Sequence, residues 1–428
     1  MNTSRAPYRR WMSLLLYFAG LLAFVGILVA WLNVRGEAPL STGAPTAAAN
    51  PALIERGAYL ARAGNCMGCH SMAGSAEFAG GRGIETPFGT VFAPNITPDP
   101  KTGIGSWSTA EFWRAMHYGR SKDGRLLYPA FPYPSYTNVT REDSDALFAY
   151  LQAVPPVERA NKANDLPFPY NTQAALALWR AMFFRAGPLQ PDTQKTAEWN
   201  RGRYLVDGLT HCAACHSSRN WLGATSVNAK FAGGLMPDEA WYAPSLASPN
   251  EAGLQKWPRE EAIKLLKNGV SQHAAVSGPM ADVVYSSTQY LTPQDLNAMV
   301  DYLASIPVRE SERKQAARAS SRVLDRGAKV YEQQCATCHG DRGQGVPSIY
   351  PALAGNRAVL LHAPNNLVQV IRNGGFSPST AGNPQPFGMP PFGQVLSHED
   401  IAAVATYVRQ AWGNAAPAIS TFDVHRVW

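Results

Sequence analysis

The chain has 428 residues, 46% of them hydrophobic and 16% charged, enough for two to four domains at roughly 100–200 residues each. Its 36 Gly and 33 Pro favour compact domains rich in ordered loops over a large doubly wound enzyme, because both residues punctuate regular elements rather than fill them. The formal charge is +7, but Arg5, Arg9 and Arg10 all lie in the leader, so the charge carries no nucleic-acid signal.

The first predicted element is an uncharged apolar run, Trp11–Asn33, with Arg35 just beyond it. As a helix it is long enough to span a bilayer. Positive residues ahead of it favour a cytoplasmic N-terminus, which puts everything after Arg35 outside the inner membrane, in the periplasm. A cleaved secretory signal would have an apolar region of only about 7–15 residues followed by a small-x-small site, so the length favours a retained anchor. Residues 1–35 are therefore read as leader and transmembrane anchor, and 36–50, with Ser41–Asn50 (STGAPTAAAN), as a flexible tether.

All six cysteines fall in three copies of one motif: Cys66-Met-Gly-Cys69-His70, Cys212-Ala-Ala-Cys215-His216 and Cys335-Ala-Thr-Cys338-His339. Two thiols three residues apart project from one face of a helical turn, where each can add to a haem vinyl group, and the next His reaches the iron. A lone C-x-x-C would also suit a redox dithiol, half a zinc site or, in an exported protein, a disulfide. None of these explains a His after every copy, and zinc would need four ligands per ion. The motifs imply three covalently bound haem c groups, with His70, His216 and His339 as iron ligands.

Other features recur around each motif. An Arg-Gly pair precedes it in a helical stretch, at Arg56-Gly57, Arg201-Gly202 and Arg326-Gly327, where the missing side chain would let a second helix cross closely. A Pro-x-Leu/Ile element follows, at Pro94-Asn-Ile96, Pro244-Ser-Leu246 and Pro351-Ala-Leu353. Each repeat closes on a helix opened by a Ser/Thr-x-x-Asp cap, at Thr140–Asp143, Thr292–Asp295 and Ser397–Asp400. On those helices Tyr150-Leu151, Tyr302-Leu303 and Tyr407-Val408 are the pairs expected to pack against the Gly-bearing helix.

Four features in one order, three times over, resemble class I cytochrome c domains. The arrangement from about Asn50 to Trp412 is similar to the three-haem cytochrome subunits of bacterial membrane-bound alcohol, gluconate and aldehyde dehydrogenases. Its more specific stretches are Thr86-Pro-Phe-Gly-Thr90, Ala93–Pro100 with Thr102-Gly-Ile-Gly105 and Trp107-Ser108, and Gly382–Pro391. The resemblance implies a mainly α fold of three tandem class I cytochrome c domains behind one N-terminal transmembrane helix. The domains are placed at 51–155, 196–308 and 321–415, with linkers 156–195 and 309–320 and a tail 416–428. It further implies that the Pro94, Pro244 and Pro351 carbonyls accept a hydrogen bond from the adjacent imidazole, fixing its tautomer.

A low-spin c-type haem usually takes a Met thioether opposite the His. Met389, in the irregular Phe-Gly-Met-Pro-Pro-Phe segment, suits that place in the third repeat. In the second, Met280 in Ser-Gly-Pro-Met-Ala-Asp matches the family's ligand position and is chosen over Met236, the alternative being a buried gap-filler at a helix start. In the first, Tyr128-Pro-Ala-Phe131-Pro-Tyr-Pro has phenylalanine where the resembling alcohol-dehydrogenase subunits carry methionine. That leaves haem 1 five-coordinate or served by Met116, His117 or Met72, none favoured by spacing; for Met116 and His117, on the helix-like Thr109–Tyr118, packing is at least as good an account.

Within the long first linker, Thr172–Arg185 (TQAALALWRAMFFR) is strongly apolar yet too short to cross a bilayer. It suits the membrane surface, a dehydrogenase docking face, or a helix packed over a haem domain. Arg309–Ser320 reads as a solvated connector. There is no dinucleotide fingerprint and no nucleophile motif, so the expected role is an electron-transfer subunit rather than an enzyme. The resemblance implies a flavin-, quinone- or molybdenum-dependent dehydrogenase catalytic subunit as donor and a quinone or terminal oxidase as acceptor, with Phe131 leaning away from the plain alcohol-dehydrogenase type. Two competing expectations are a peroxidase-like haem enzyme using an open iron at haem 1 and a soluble shuttle released by signal cleavage.

Overall fold

The structure is a computed structural model that describes residues 6–37, 39–40, 50–237, 240–272, 274–309, 317–347 and 349–427. Most of the expected tether (41–49) and of the second connector (310–316) lies outside the described residues.

The N-terminal run forms one helix, Ala6–Val34, whose most apolar 18-residue window, within Arg10–Val34, has a mean hydropathy of 2.4 and no buried residue. Its far end is nevertheless fastened. Asn33 Nδ2 donates to Ala177 O (2.9 Å), Tyr118 Oη donates to Gly36 O (2.9 Å), and Arg120 pairs with Glu37 at 3.0 Å. The chain is thus held to the body at Asn33 and again at Gly36 and Glu37, the first residues of the expected tether.

Each repeat is built on one crossed helix pair: Pro51–Ala63 with Arg141–Ala153, Ala197–Tyr204 with Pro293–Ala304, and Ser321–Gln334 with His398–Gln410. The Gly of each Arg-Gly pair sits at the crossing. A Cβ added there would lie 2.0 Å from Ala146 O, 1.9 Å from Ala298 O and 2.2 Å from Ala403 O, so only glycine permits this approach. The preceding Arg bonds the Asp of the facing cap, Arg56 to Asp143 (2.8 Å), Arg201 to Asp295 (2.8 Å) and Arg326 to Asp400 (2.8 Å). Two motifs far apart in sequence therefore meet as one ion pair on one helix crossing. Asp143 and Asp295 are buried, where a carboxylate stripped of its cation would be costly.

The repeats do not pack alike. The first two share one hydrophobic core, including Leu60, Leu147, Leu205, Leu209, Leu296 and Met299. The third has its own, including Val330, Tyr331, Val368, Ile401 and Val408. The first two repeats are also joined by a pair of equivalent tyrosines, each three positions after its Arg. Tyr59 Oη donates to Asp295 (2.6 Å) and accepts from the Thr292 N–H, while Tyr204 Oη donates to Asp143 (2.6 Å) and accepts from the Thr140 N–H. Each repeat thereby completes the helix cap of the other, in a pseudo-two-fold exchange. The third repeat has Lys329 at this position and takes no part.

The third repeat instead docks edgewise on the second. Asn366 and the Tyr242 backbone exchange two hydrogen bonds of 2.8 Å each, His362 pairs with Glu251, and Arg357 lies over the Trp257 ring. The segment set apart in sequence as a tail belongs to this repeat. A Ser420–Asp423 capping box opens helix Thr421–Arg426, which packs Val424 into the third core together with Ile419 and Val427. Among the described residues, strands form three short antiparallel ribbons: Gly83–Thr86 with Gly89–Phe92, Gly234–Leu235 with Tyr242–Ala243, and Gly375–Phe376 with Gly388–Met389. The first two deliver the chain to Pro94 and Pro244, and the third carries Met389.

Candidate functional site

Each C-x-x-C-H motif forms a tight turn directly after the repeat's first helix. It is an α turn at Cys66–His70 and Ala336–His339, and a 3₁₀ turn at Cys212–Ala214. Asn65 and His211, the residues before the first two motifs, adopt left-handed backbone (φ 50° and 41°) that swings the chain from helix into turn. Cys212 follows Tyr204 by eight positions where Cys66 follows Tyr59 by seven. The extra residue is absorbed by one π-helical turn, Leu205–Leu209, which keeps Leu205 and Leu209 in the shared core.

No disulfide joins any two of the six cysteines. Burial pushes the first of each pair up, to about 12 at Cys66 and about 11 at Cys212 and Cys335, so the side chains are neutral sulfur in an apolar setting. Burial also raises the Cys215 thiol, Arg219 opposes the rise, and Cys69 of the other motif adds to it. Arg82 and Arg219 hold the two turns by donating to Gly68 O and Ala214 O, the same position of each motif.

The three histidines share one environment. Nδ1 of His70, His216 and His339 lies 2.8, 2.7 and 3.0 Å from the carbonyl oxygens of Pro94, Pro244 and Pro351. A carbonyl only accepts, so Nδ1 carries the proton and Nε2 keeps its lone pair. Burial lowers all three pKa values, which favours the same neutral imidazole. On the backbone side, the carbonyl of each His accepts from Gly80, Gly233 and Gly345, at 2.7, 3.0 and 2.8 Å. These glycines all have φ between 64° and 77°, and a Cβ on any of them would strike the segment around the proline. They were not singled out in the sequence, although one stands between motif and proline in every repeat.

The residues expected opposite the histidines are placed differently from one another. Met389 is half-buried, paired with Gly375 on its ribbon, and packs on the same core as Cys335. Met280 is half-buried on the first turn of a short helix, Pro279–Ser286, and is not among the side chains packed on the shared core. That helix reaches the first repeat's attachment turn, where Ser286 Oγ donates to Asn65 Oδ1 at 2.7 Å. Met236 lies on the second ribbon's turn, its N–H bonded to Trp241 O.

In the first repeat Phe131 packs half-buried on the shared core, its ring 5.4 Å from Tyr136, which in turn stands edge-on to His211. Met116 lies within that core. His117 is 4% exposed and stacked on Trp113 at 4.3 Å, and burial pushes its pKa down to about 4. Both are committed to packing. Met72 is exposed beside Arg159.

The donor set fits a covalently held haem in each repeat: two cysteines on one turn that form no disulfide, and an imidazole whose Nε2 keeps its lone pair. It does not fit a bare metal ion, since among the described residues no three His, Cys, Asp or Glu side chains converge.

Comparison with known proteins agrees with this chemistry. The family described as "Cytochrome c" matches residues 54–155 and 200–307, and "Cytochrome C oxidase, cbb3-type, subunit III" matches 322–408. The alcohol dehydrogenase (quinone) cytochrome c subunit of Gluconacetobacter polyoxogenes is 39% identical over 394 residues, 88% of this chain and 84% of that one. The gluconate 2-dehydrogenase cytochrome c subunit of Pantoea cypripedii is 38% identical over 390 residues, 87% and 88%. A protein named "Diheme cytochrome c-type" from Cereibacter sphaeroides is 35% identical over 266 residues, 60% of this chain and 86% of that one.

Proposed function

The chain belongs to the family of cytochrome c subunits of alcohol, gluconate and fructose dehydrogenases, and on that premise we propose that it is the tri-haem electron conduit of such a complex. The observation that carries the number three is the imidazole-to-proline contact, present behind every C-x-x-C-H motif. Haem iron, when bound, supplies one-electron steps. The protein's part is to fix it: Cys66 and Cys69, Cys212 and Cys215, and Cys335 and Cys338 tether the three rings, and His70, His216 and His339 present Nε2 to the metal. Met280 and Met389 would be the thioether donors to the haems of the second and third repeats. Phe131 supplies none, so the first haem has a non-methionine environment and a lower potential than its neighbours, other influences being equal.

The donor is the catalytic subunit of a flavin-, quinone- or molybdenum-dependent dehydrogenase, and the acceptor a membrane quinone or terminal oxidase. The Ala6–Val34 helix serves as an inner-membrane anchor with the haem domains on the periplasmic side, in keeping with the cationic leader before it. Intact-mass measurement of the mature chain, with peptide mapping of the thioether-linked fragments, tests the assignment. Three haems per chain, one on each cysteine pair, are expected, and a stoichiometry of two would refute it. Rapid reduction by the dehydrogenase without peroxide turnover by the isolated chain separates the conduit from a peroxidase-like enzyme.

A further inference from the structure

Helix Gln173–Phe183, capped by Thr172, has the wrong polarity for a helix in water. Its one cation, Arg180, is 4% exposed: Nε donates to Asn33 Oδ1, Nη1 to Tyr118 O, and the guanidinium lies over the Tyr133 and Phe184 rings. Its outward side is apolar, with Leu178 48%, Met182 50% and Phe183 37% exposed. Ala174, Leu178 and Met182 recur every fourth residue and so form one stripe. Just upstream, Phe168 is 82% exposed beside Tyr170. A surface helix normally turns its charges out and its leucines in.

The position of the helix identifies what covers this face. Asn33, the last residue of the apolar run, donates to Ala177 O, so the middle of the helix touches the outer end of the anchor. Taken as a helix, Trp11–Asn33 is roughly 34 Å long at 1.5 Å per residue, close to the bilayer's hydrocarbon thickness of about 30 Å. The contact therefore falls at the membrane boundary. We infer that Gln173–Phe183 is an interfacial helix that lies on the outer surface of the bilayer crossed by the anchor and sinks Leu178, Met182 and Phe183 into the lipid. Such helices seat their apolar face about 5–10 Å into the boundary layer. With Arg180 bridging anchor and first repeat, this gives two points of membrane attachment and holds the first haem domain at a fixed height and tilt. A docking face for the dehydrogenase is the alternative occupant, and continuity with the anchor favours lipid.

The inference rests on the anchor reading, and the experiment separates the two. The holo chain is placed in phospholipid nanodiscs without its partner, as single variants Leu178→Cys, Met182→Cys, Gly20→Cys and Glu399→Cys, with an unchanged haem spectrum as the folding check. Haem attachment occupies the six native cysteines, so the added thiol is the one reactive group. Position 20 has open space around its Cβ on the anchor, and Glu399 is 68% exposed on the third repeat. A membrane-impermeant charged maleimide is expected to react at 178 and 182 at least tenfold more slowly than at 399. A photoreactive phospholipid is expected to label the 173–183 peptide. Rates at 178 and 182 equal to that at 399, with position 20 still protected, overturn the inference and leave the anchor standing. Free reaction at position 20 as well removes the anchor and the inference together. Protection at 178 that arises only on adding the dehydrogenase assigns the face to that partner and also overturns it.

Discussion

Alanine at the helix-crossing glycines gives the most direct test of the architecture. A Cβ at position 202 would lie 1.9 Å from Ala298 O, and a C···O contact needs about 3.3 Å, so the helices must part by roughly 1.4 Å. The obstruction is backbone and cannot rotate aside, which puts overpacking near the upper end of its usual range, about 3 kcal/mol. Alanine returns about 1 kcal/mol in helix propensity. The net loss is about 2 kcal/mol, or roughly 4–8 °C in Tm for a unit of this size. Because the first two repeats share a core and the third does not, thermal scans of the holo protein followed by circular dichroism should show two transitions. Gly57→Ala and Gly202→Ala should lower the same one, and Gly327→Ala the other. Gly187→Ala, with open space around its Cβ, should shift neither. Separate transitions for Gly57→Ala and Gly202→Ala, or no shift from either, would refute the shared unit.

The exchanged tyrosines predict coupling between repeats: Tyr59→Phe and Tyr204→Phe each remove a donor to a buried carboxylate that keeps its arginine, costing about 1.5 kcal/mol in denaturant titrations and lowering that same transition. Met389→Ala should turn one haem from low to high spin in EPR and lower its potential in redox titration, whereas Phe131→Met should do the reverse at the first haem; silence at Met389→Ala would remove that ligand assignment. His117, held neutral with its pKa at about 4, stabilises the fold fully above the unfolded-state value near 6.5, and that contribution is lost as pH falls toward 4. The loss is about 3 kcal/mol, so His117→Gln should flatten the acid limb of the stability curve between those values.

What the sequence disclosed was whatever closes within one repeat. Arg56 and Asp143, Gly57 and Tyr150, and His70 and Pro94 recur in order three times, and repetition makes a weak local signal specific. The exchange of Tyr59 and Tyr204 was hidden because its bonds run between repeats, yet its trace was present: tyrosine at one position twice and Lys329 the third time. Gly80, Gly233 and Gly345 were missed because a single glycine in a loop is unremarkable until its positive φ and its carbonyl partner are known. Residues 416–427 looked uninformative because Ile419, Val424 and Val427 are too widely spaced to announce a core element without the helix that aligns them. The inverted polarity of Gln173–Phe183 could not be read from composition at all, since periodicity shows that faces differ but not which one is turned inward.

The tyrosine exchange also sets an order on biosynthesis. Asp295, which receives Tyr59, is synthesised 236 residues after it, so the first repeat reaches its finished form only when the second is almost complete. Its attachment turn at Cys66–His70 is meanwhile accessible from the side that Asn65 later gives to Ser286. A nascent chain halted after residue 155 would lack Leu205, Leu209, Leu296 and Met299, whereas one halted after residue 308 would have every member of that core. The first two repeats are accordingly one folding unit, and the third, which carries a core of its own, is a second unit added to a body already closed.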